Sequence, residues 1–287
     1  VLASCDVETL YEKMLPEAIV PTKLKDKLRN AVLYNSSLTI SVALDCPPEQ
    51  LGFGEEMIHI SRQGVSRKDL SGGDPEKSEI IILAPSYRDK TMAPEGNGTI
   101  TIFMPARMEQ FNNWKAERDS EGNYVRGEEY NKLKEEIANV LIRRVEEQVA
   151  PGLRSHILFY DVATPITHYR YTGNKNGTMM GARPGKENMQ AKVAHYRTPV
   201  KHLILSGHWA ELGGGVPIAV KAGFNAALLV LKDEKPDVFN AFADYINKKI
   251  TAEEFRSLPF LKQYDNSWER KLTPAELLAI RRNDKSL

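Results

Sequence analysis

Three consecutive glycines, Gly213-Gly214-Gly215, stand where the chain could bring backbone rather than side chains to a ligand. Before them lies an apolar run, Leu203 to Leu205, which reads as a buried strand ended by Gly207. After them lies an Ala-rich apolar stretch, Val216 to Leu231, which reads as a buried helix. A strand that feeds a glycine turn and then a helix leaves unpaired N–H groups at the positive end of the helix dipole. Such a place suits phosphate, or any electron-rich cofactor edge that takes on negative charge. Glycine permits close approach, and Pro217 falls in the first helical turn, where a missing N–H costs nothing.

The opening unit of a dinucleotide fold is the first comparison to make, and it fails. That unit needs a second strand ending in an acidic residue about 20 residues past the glycines, to hold a ribose. Here the helix runs into Lys232-Asp233-Glu234-Lys235-Pro236, a polar stop with no apolar strand behind it. The segment therefore reads as the last strand–helix unit of a cofactor domain.

Other chemistry finds little support. His59, His156, His195 and His202 lack ligand spacing, Cys5 and Cys46 form no metal or redox pattern, and no metal is expected. There is no G-x-S-x-G elbow and no phosphate-loop lysine, so hydrolase and kinase readings fail. With 39 basic against 38 acidic residues the net charge is +1, which argues against a nucleic-acid partner. No apolar stretch is long enough to span a membrane. Two cysteines in 287 residues fit a reducing, cytoplasmic setting, with peripheral membrane contact left open.

The elements that must hold the turn can be read from periodicity. Val1 to Ser4 reads as a strand, and Asp6 as the N-cap of a helix from Val7 to Met14. Lys23 to Asn30 is a charged helix. Leu38, Ile40, Val42 and Leu44 alternate with polar or small residues, as do Ile100, Ile102 and Met104, giving strands with one buried face. The unbroken Ile80 to Leu83 implies a strand buried on both faces. Residues 128–149 form one long amphipathic helix, stopped by Pro151-Gly152. His156 to Tyr160 returns to strand, and Ile166 to Thr172 reads as another, with Tyr160, His168, Tyr169, Arg170 and Tyr171 on alternating faces. Short helices are expected at Val238 to Ile246, Glu253 to Leu261 and Pro274 to Arg282.

Several of these residues also carry a resemblance. Ser206-Gly207-His208, Gly213 to Pro217, Gly223 and Ala226-Ala227 are similar to the C-terminal flavin motif of the phytoene desaturase superfamily, which includes carotenoid isomerases and retinol saturases. Thr164-Pro165, Tyr171-Thr172-Gly173, Gly177, Gly181 and Arg197-Thr198-Pro199 match upstream, as do Tyr130, Lys134 and Pro151-Gly152-Leu153. Val1 to Asp6 resembles the family's mid-chain strand that re-enters the flavin domain.

The resemblance implies a mixed α+β and α/β chain: part of an FAD-binding, Rossmann-like domain without its N-terminal dinucleotide loop, plus a mixed-sheet substrate domain with a long helix. Residues 1–30 would be the re-entry segment, 31–160 the substrate domain, 161–232 the C-terminal flavin segment and 233–287 a helical tail. It implies FAD as cofactor, held through Gly207, His208, Gly214, Gly215, Val216, Pro217 and Thr164. His208 departs from the small polar residue that many relatives carry there. The implied reaction is desaturation, saturation or isomerisation of an apolar polyene or isoprenoid, and the implied partner is a missing N-terminal FAD-binding segment or subunit. Two other readings stay open: a lipid- or pigment-binding module without redox chemistry, and a flavin amine oxidase, for which Trp209 is the one aromatic near the turn.

Overall fold

Where polar and apolar residues alternate, the chain pairs into sheet; where apolar residues recur at three and four, it coils. The computed structural model describes residues 1–186, 188, 195–211 and 213–259. A short strand, Leu2–Ala3 (β1), leads into a turn of helix at Val7–Thr9 (α1) that widens through Leu10–Met14, then helix Thr22–Arg29 (α2). Asp6 caps α1 by accepting the Thr9 amide at 2.9 Å.

Next come strands Ser36–Leu44 (β2), Ile58–Ile60 (β3), Ile80–Leu83 (β4) and Gly98–Ala106 (β5), and a small hairpin of Glu117–Arg118 (β6) with Tyr124–Val125 (β7). The long helix Glu128–Gln148 (α3) follows, then strand Ile157–Ala163 (β8) and helix Pro165–Thr172 (α4). Strand Ile204–Leu205 (β9) and helix Val216–Glu234 (α5) come next, and Pro236–Ile246 (α6) and Ala252–Ser257 (α7) close the described chain.

The main sheet is antiparallel throughout, in the order β3-β4-β5-β2-β8. One face is its core. Leu38, Ile40, Val42 and Leu44 of β2 and Ile100, Ile102 and Met104 of β5 are buried there, in one cluster with Tyr130, Ile137, Leu141 and Val145 of α3. The opposite face is more open. Ile81 and Leu83 are only half-buried, and Phe159 on edge strand β8 is 69% exposed. The expectation that β4 is buried on both faces is thus corrected: α3 covers one side, and only Ile80 and Ile82 are sealed. A second cluster joins Ala3, Val7, Leu10 and Leu28 to Leu205 and Trp209.

Two further expectations change. Residues 166–172 are helix, not strand. Thr164 and Thr167 form a capping box, Pro165 occupies the first turn, and Gly173 closes the end in a left-handed conformation. These end signals outweigh the strand propensity of the β-branched and aromatic residues between them. The helix after the glycines is the second case. It is apolar in composition, yet of its residues only Ala222 and Ala226 are buried, while Val216 is 79% and Val220 68% exposed. Its buried line is the small-residue line.

The chain divides into two compact units, Val1–Gly223 and the part from Phe224 onward. Within the second, the Phe242 ring meets Phe224 and Phe255 edge-on, and Tyr245 stacks on Phe255. The expected helix from Glu253 shortens to Ala252–Ser257, and the one expected at Pro274 to Arg282 lies outside the described residues. Among the described residues no helix is long and apolar enough to cross a membrane.

Candidate functional site

The glycine turn is anchored by two parallel strands from distant parts of the chain. The Ile204 amide donates to Val1 O at 3.0 Å and the Ser206 amide to Ala3 O at 2.8 Å, setting Leu2 beside Ile204. Gly207 follows with φ 69° and lies against Ser4.

A third segment holds the turn from behind. Ala182 bridges Leu33, the Tyr34 amide donates to Gly181 O at 3.0 Å, and the Thr178 hydroxyl donates to Tyr34 O at 2.7 Å. The glycines rest on this segment. A methyl added at Gly214 would collide with the Met180 side chain, and one at Gly213 would sit 2.9 Å from Pro184 Cδ. Gly215 is different: its φ is +98°, and an added methyl would meet nothing within 4 Å. The turn is therefore packed on one side and open at the mouth of α5, where Val216 and Pro217 are exposed.

His208 sits beside this turn, its ring 5.8 Å from that of Trp209. Its Nε2 is buried and has no hydrogen-bond partner among the described residues. Burial pushes its pKa below the usual imidazole value, and the nearby Asp6 carboxylate only partly opposes this. Trp209 is buried, and its indole N–H donates to Asn174 Oδ1 at 3.0 Å. Asn174 in turn donates to Thr178 O, so the aromatic wall beside His208 is fixed.

Thr164 stands apart from the glycines in its bonding. It is fully buried, and its hydroxyl pairs with the Tyr130 hydroxyl at 2.9 Å while capping α4. The aromatic run scatters on that helix and on β8. Tyr160 donates to Glu135 on the α3 side, Tyr169 packs edge-on against Tyr124, and Tyr171 points to solvent. His168 turns to Ser37, with Nε2 and Oγ 3.1 Å apart, and burial lowers its pKa as well.

Beside the turn's supporting segment lies an open cleft of about 370 Å³, within the size of small-molecule sites. Tyr34, Ser37, Phe103, Pro105, Met179 and Met180 contribute to its walls. Its floor belongs to the sheet face that α3 leaves uncovered. Ser37 and Met179 carry no signal in the sequence; only the half-polar alternation of β2 and β5 hints that this face does more than shed water.

The chain is 32% identical over 169 residues to prolycopene isomerase, chloroplastic, of Daucus carota, covering 59% of this chain and 26% of that one. It is 23% identical over 241 residues to the phytoene desaturase (lycopene-forming) of Pantoea ananas, covering 81% of this chain and 45% of that one. Its homologues are carotenoid desaturases and isomerases. The resemblance to the C-terminal part of the phytoene desaturase superfamily stands on both the quoted motifs and these carotenoid-enzyme relatives. The chain spans about a quarter of the carotenoid isomerase from carrot and under half of the bacterial desaturase. Among solved structures, an oxidoreductase from Methanosarcina mazei aligns with a TM-score of 0.44 at 15% identity, over 79% of this chain and 42% of that one. No protein-family model matches the chain.

Proposed function

We propose that this chain is the C-terminal portion of a longer FAD-dependent oxidoreductase that acts on carbon–carbon double bonds of an apolar polyene or isoprenoid, by desaturation, saturation or isomerisation. The observation that carries the reading is the mouth of α5. A 19-residue helix begins after an open glycine, Gly215, with its first residues exposed, and further along the helix a methyl at Gly223 would lie 3.7 Å from Ser206 Oγ at the end of β9.

The residues present fit a flavin. The space that a side chain at Gly215 would enter is open, and the orphaned Nε2 of His208 lies just past the end of β9. When bound, FAD supplies the ring that exchanges hydride with the substrate or primes its isomerisation. The chain's own part is positional. The amides at Gly215 and Val216, at the positive end of the helix dipole, would hold the flavin and favour negative charge on it. Gly207 and Gly214 serve the packing of the turn itself, against Ser4 and Met180, and Pro217 stands in the first helical turn without a wasted donor. His208 stands beside the turn as a neutral polar group. Thr164 would serve by fixing α4 against α3 through Tyr130 rather than by touching the cofactor.

The uncovered sheet face and the cleft beside Phe103 and Met180 offer an apolar floor for a polyene. An amine substrate loses its main support here. Trp209, the aromatic that would flank the ring, is buried with its N–H committed to Asn174.

The test is reconstitution. The chain alone should retain little flavin, because the pyrophosphate loop would come from the missing N-terminal segment. Co-expressed with that segment it should purify yellow and convert a polyene under anaerobic assay. Stoichiometric flavin on the lone chain would contradict the need for the segment. A stable complex that holds no flavin would end the whole reading.

A further inference from the structure

A cluster of metal-ligating groups lies where two strand ends meet. Asp45 and Cys46 follow β2 directly, and His156 directly precedes β8. One ligand atom from each lies within 4.8 Å of the other two. Sequence spacing hides the group, because Cys46 and His156 are 110 residues apart.

The backbone explains why they converge. The pairing of β2 with β8 shifts register between Ala43 and Leu44, and the Asp45 amide then donates to His156 O at 3.0 Å. That bond holds the two side chains on one edge, where His156 Nδ1 and Asp45 Oδ1 are 2.8 Å apart. Gly98 at the start of β5 lets the chain turn closely at Cys46, since a methyl there would lie 2.6 Å from Cys46 O. Cys46 is 6% exposed, while Asp45 and His156 leave an approach from solvent.

We propose that Asp45, Cys46 and His156 form a binding site for a thiophilic divalent cation, zinc being the best fit. A thiolate, an imidazole nitrogen and a carboxylate oxygen are the donor types of zinc sites, whereas calcium and magnesium take oxygen alone. With bonds of about 2.0–2.3 Å, tetrahedral donors sit roughly 3.3–3.6 Å apart, so donors now up to 4.8 Å apart would draw in while His156 Nδ1 and Asp45 Oδ1, at 2.8 Å, would exchange their hydrogen bond for the ion and open slightly. Three protein ligands leave the fourth position to water or another donor. The site is separate from the cleft: Ser37 and Asp45 are eight residues apart along an extended strand, roughly 26 Å. A bound ion would tie together strand ends that are otherwise joined by the sheet and by the His156–Asp45 contact.

The experiment is titration of the reduced, chelator-treated chain with Co²⁺, followed by displacement with Zn²⁺. The expected result is one equivalent bound with a thiolate-to-cobalt charge-transfer band. The band should survive Cys5→Ser and vanish in Cys46→Ser. His156→Gln, at a side chain 40% exposed, should keep the parent's far-ultraviolet spectrum and weaken Co²⁺ binding by at least about tenfold, the loss usual for disturbing even the groups behind a ligand. Absence of a thiolate band, or a band that survives Cys46→Ser, would overturn the proposal. So would unchanged binding in His156→Gln, which also decides the matter if Cys46→Ser does not fold.

Discussion

Gly214 and Gly215 are neighbours with different reasons to be glycine, and substitution should separate them. At Gly214 a methyl strikes Met180 and the segment behind the turn. Gly214→Ala should therefore cost the chain about 1–3 kcal/mol in thermal or denaturant unfolding, the usual penalty of overpacking. At Gly215 there is room, but φ is +98°, so Gly215→Ala should cost about 1–2 kcal/mol in strain. On the flavin reading, Gly215→Ala should also abolish flavin retention in the reconstituted enzyme, because the methyl would stand at the open mouth of α5 where the cofactor would approach. Equal flavin binding by the Gly215→Ala complex and its parent would separate this glycine from the cofactor.

The buried histidines make a second prediction at this scale. His168 and His208 both have folded pKa values held below the ordinary imidazole value of about 6.5, chiefly by burial. A depressed folded value means that the unfolded chain binds protons first on acidification. Stability is then complete above about pH 6.5 and falls as the pH drops toward the folded values. The melting temperature should decline from neutral pH downward, and His168→Gln and His208→Gln should each flatten part of that slope. A slope unchanged in both variants would assign the acid sensitivity elsewhere.

At the scale of elements, end signals decided what periodicity could not. Alternation located β2 and β5, and steps of three and four located α3, because one face of each is sealed. Residues 165–172 defeated the same reading. Their β-branched and aromatic side chains favour strand, while Thr164, Pro165, Thr167 and Gly173 set both ends of a helix. Thr164→Val removes a cap and leaves the buried Tyr130 hydroxyl without its partner. It should destabilise the chain by about 1–3 kcal/mol, read from chemical denaturation. The turn from Gly213 to Pro217 was legible as a turn because glycine and proline announce backbone conformation directly. What lies behind it was not, since the fit of Met180 and Pro184 against the glycines depends on a contact across some 30 residues.

Helix α5 shows the limit of composition. Its apolar residues imply burial, yet Val216 and Val220 face outward in the described chain. If the rest of the proposed flavoprotein covers that face, a charge there should spare the chain but block assembly. Val220→Asp should leave the melting temperature of the lone chain close to the parent, as exposed substitutions shift stability by only about 0.5 kcal/mol. Co-purification with the N-terminal segment should be lost. A variant that still assembles would show that the face has another purpose.

For the molecule as a whole, the two apolar clusters lie entirely within residues 3–209 among the described residues. The sheet cluster ends at Ile166, and the β1–β9 cluster ends at Trp209. Beyond Gly223 the chain has its own ring contacts among Phe224, Phe242, Tyr245 and Phe255. Cooperative stability follows buried apolar surface, so what folds the candidate site should not need the tail. A chain ending at Glu234 should keep its far-ultraviolet spectrum apart from the lost helices. Its main transition should fall within a few degrees of the full chain, and it should still reconstitute flavin with the N-terminal segment. Loss of the main transition on truncation would place part of the molecule's core in the tail, and the glycine turn would then depend on residues far beyond its own strand and helix.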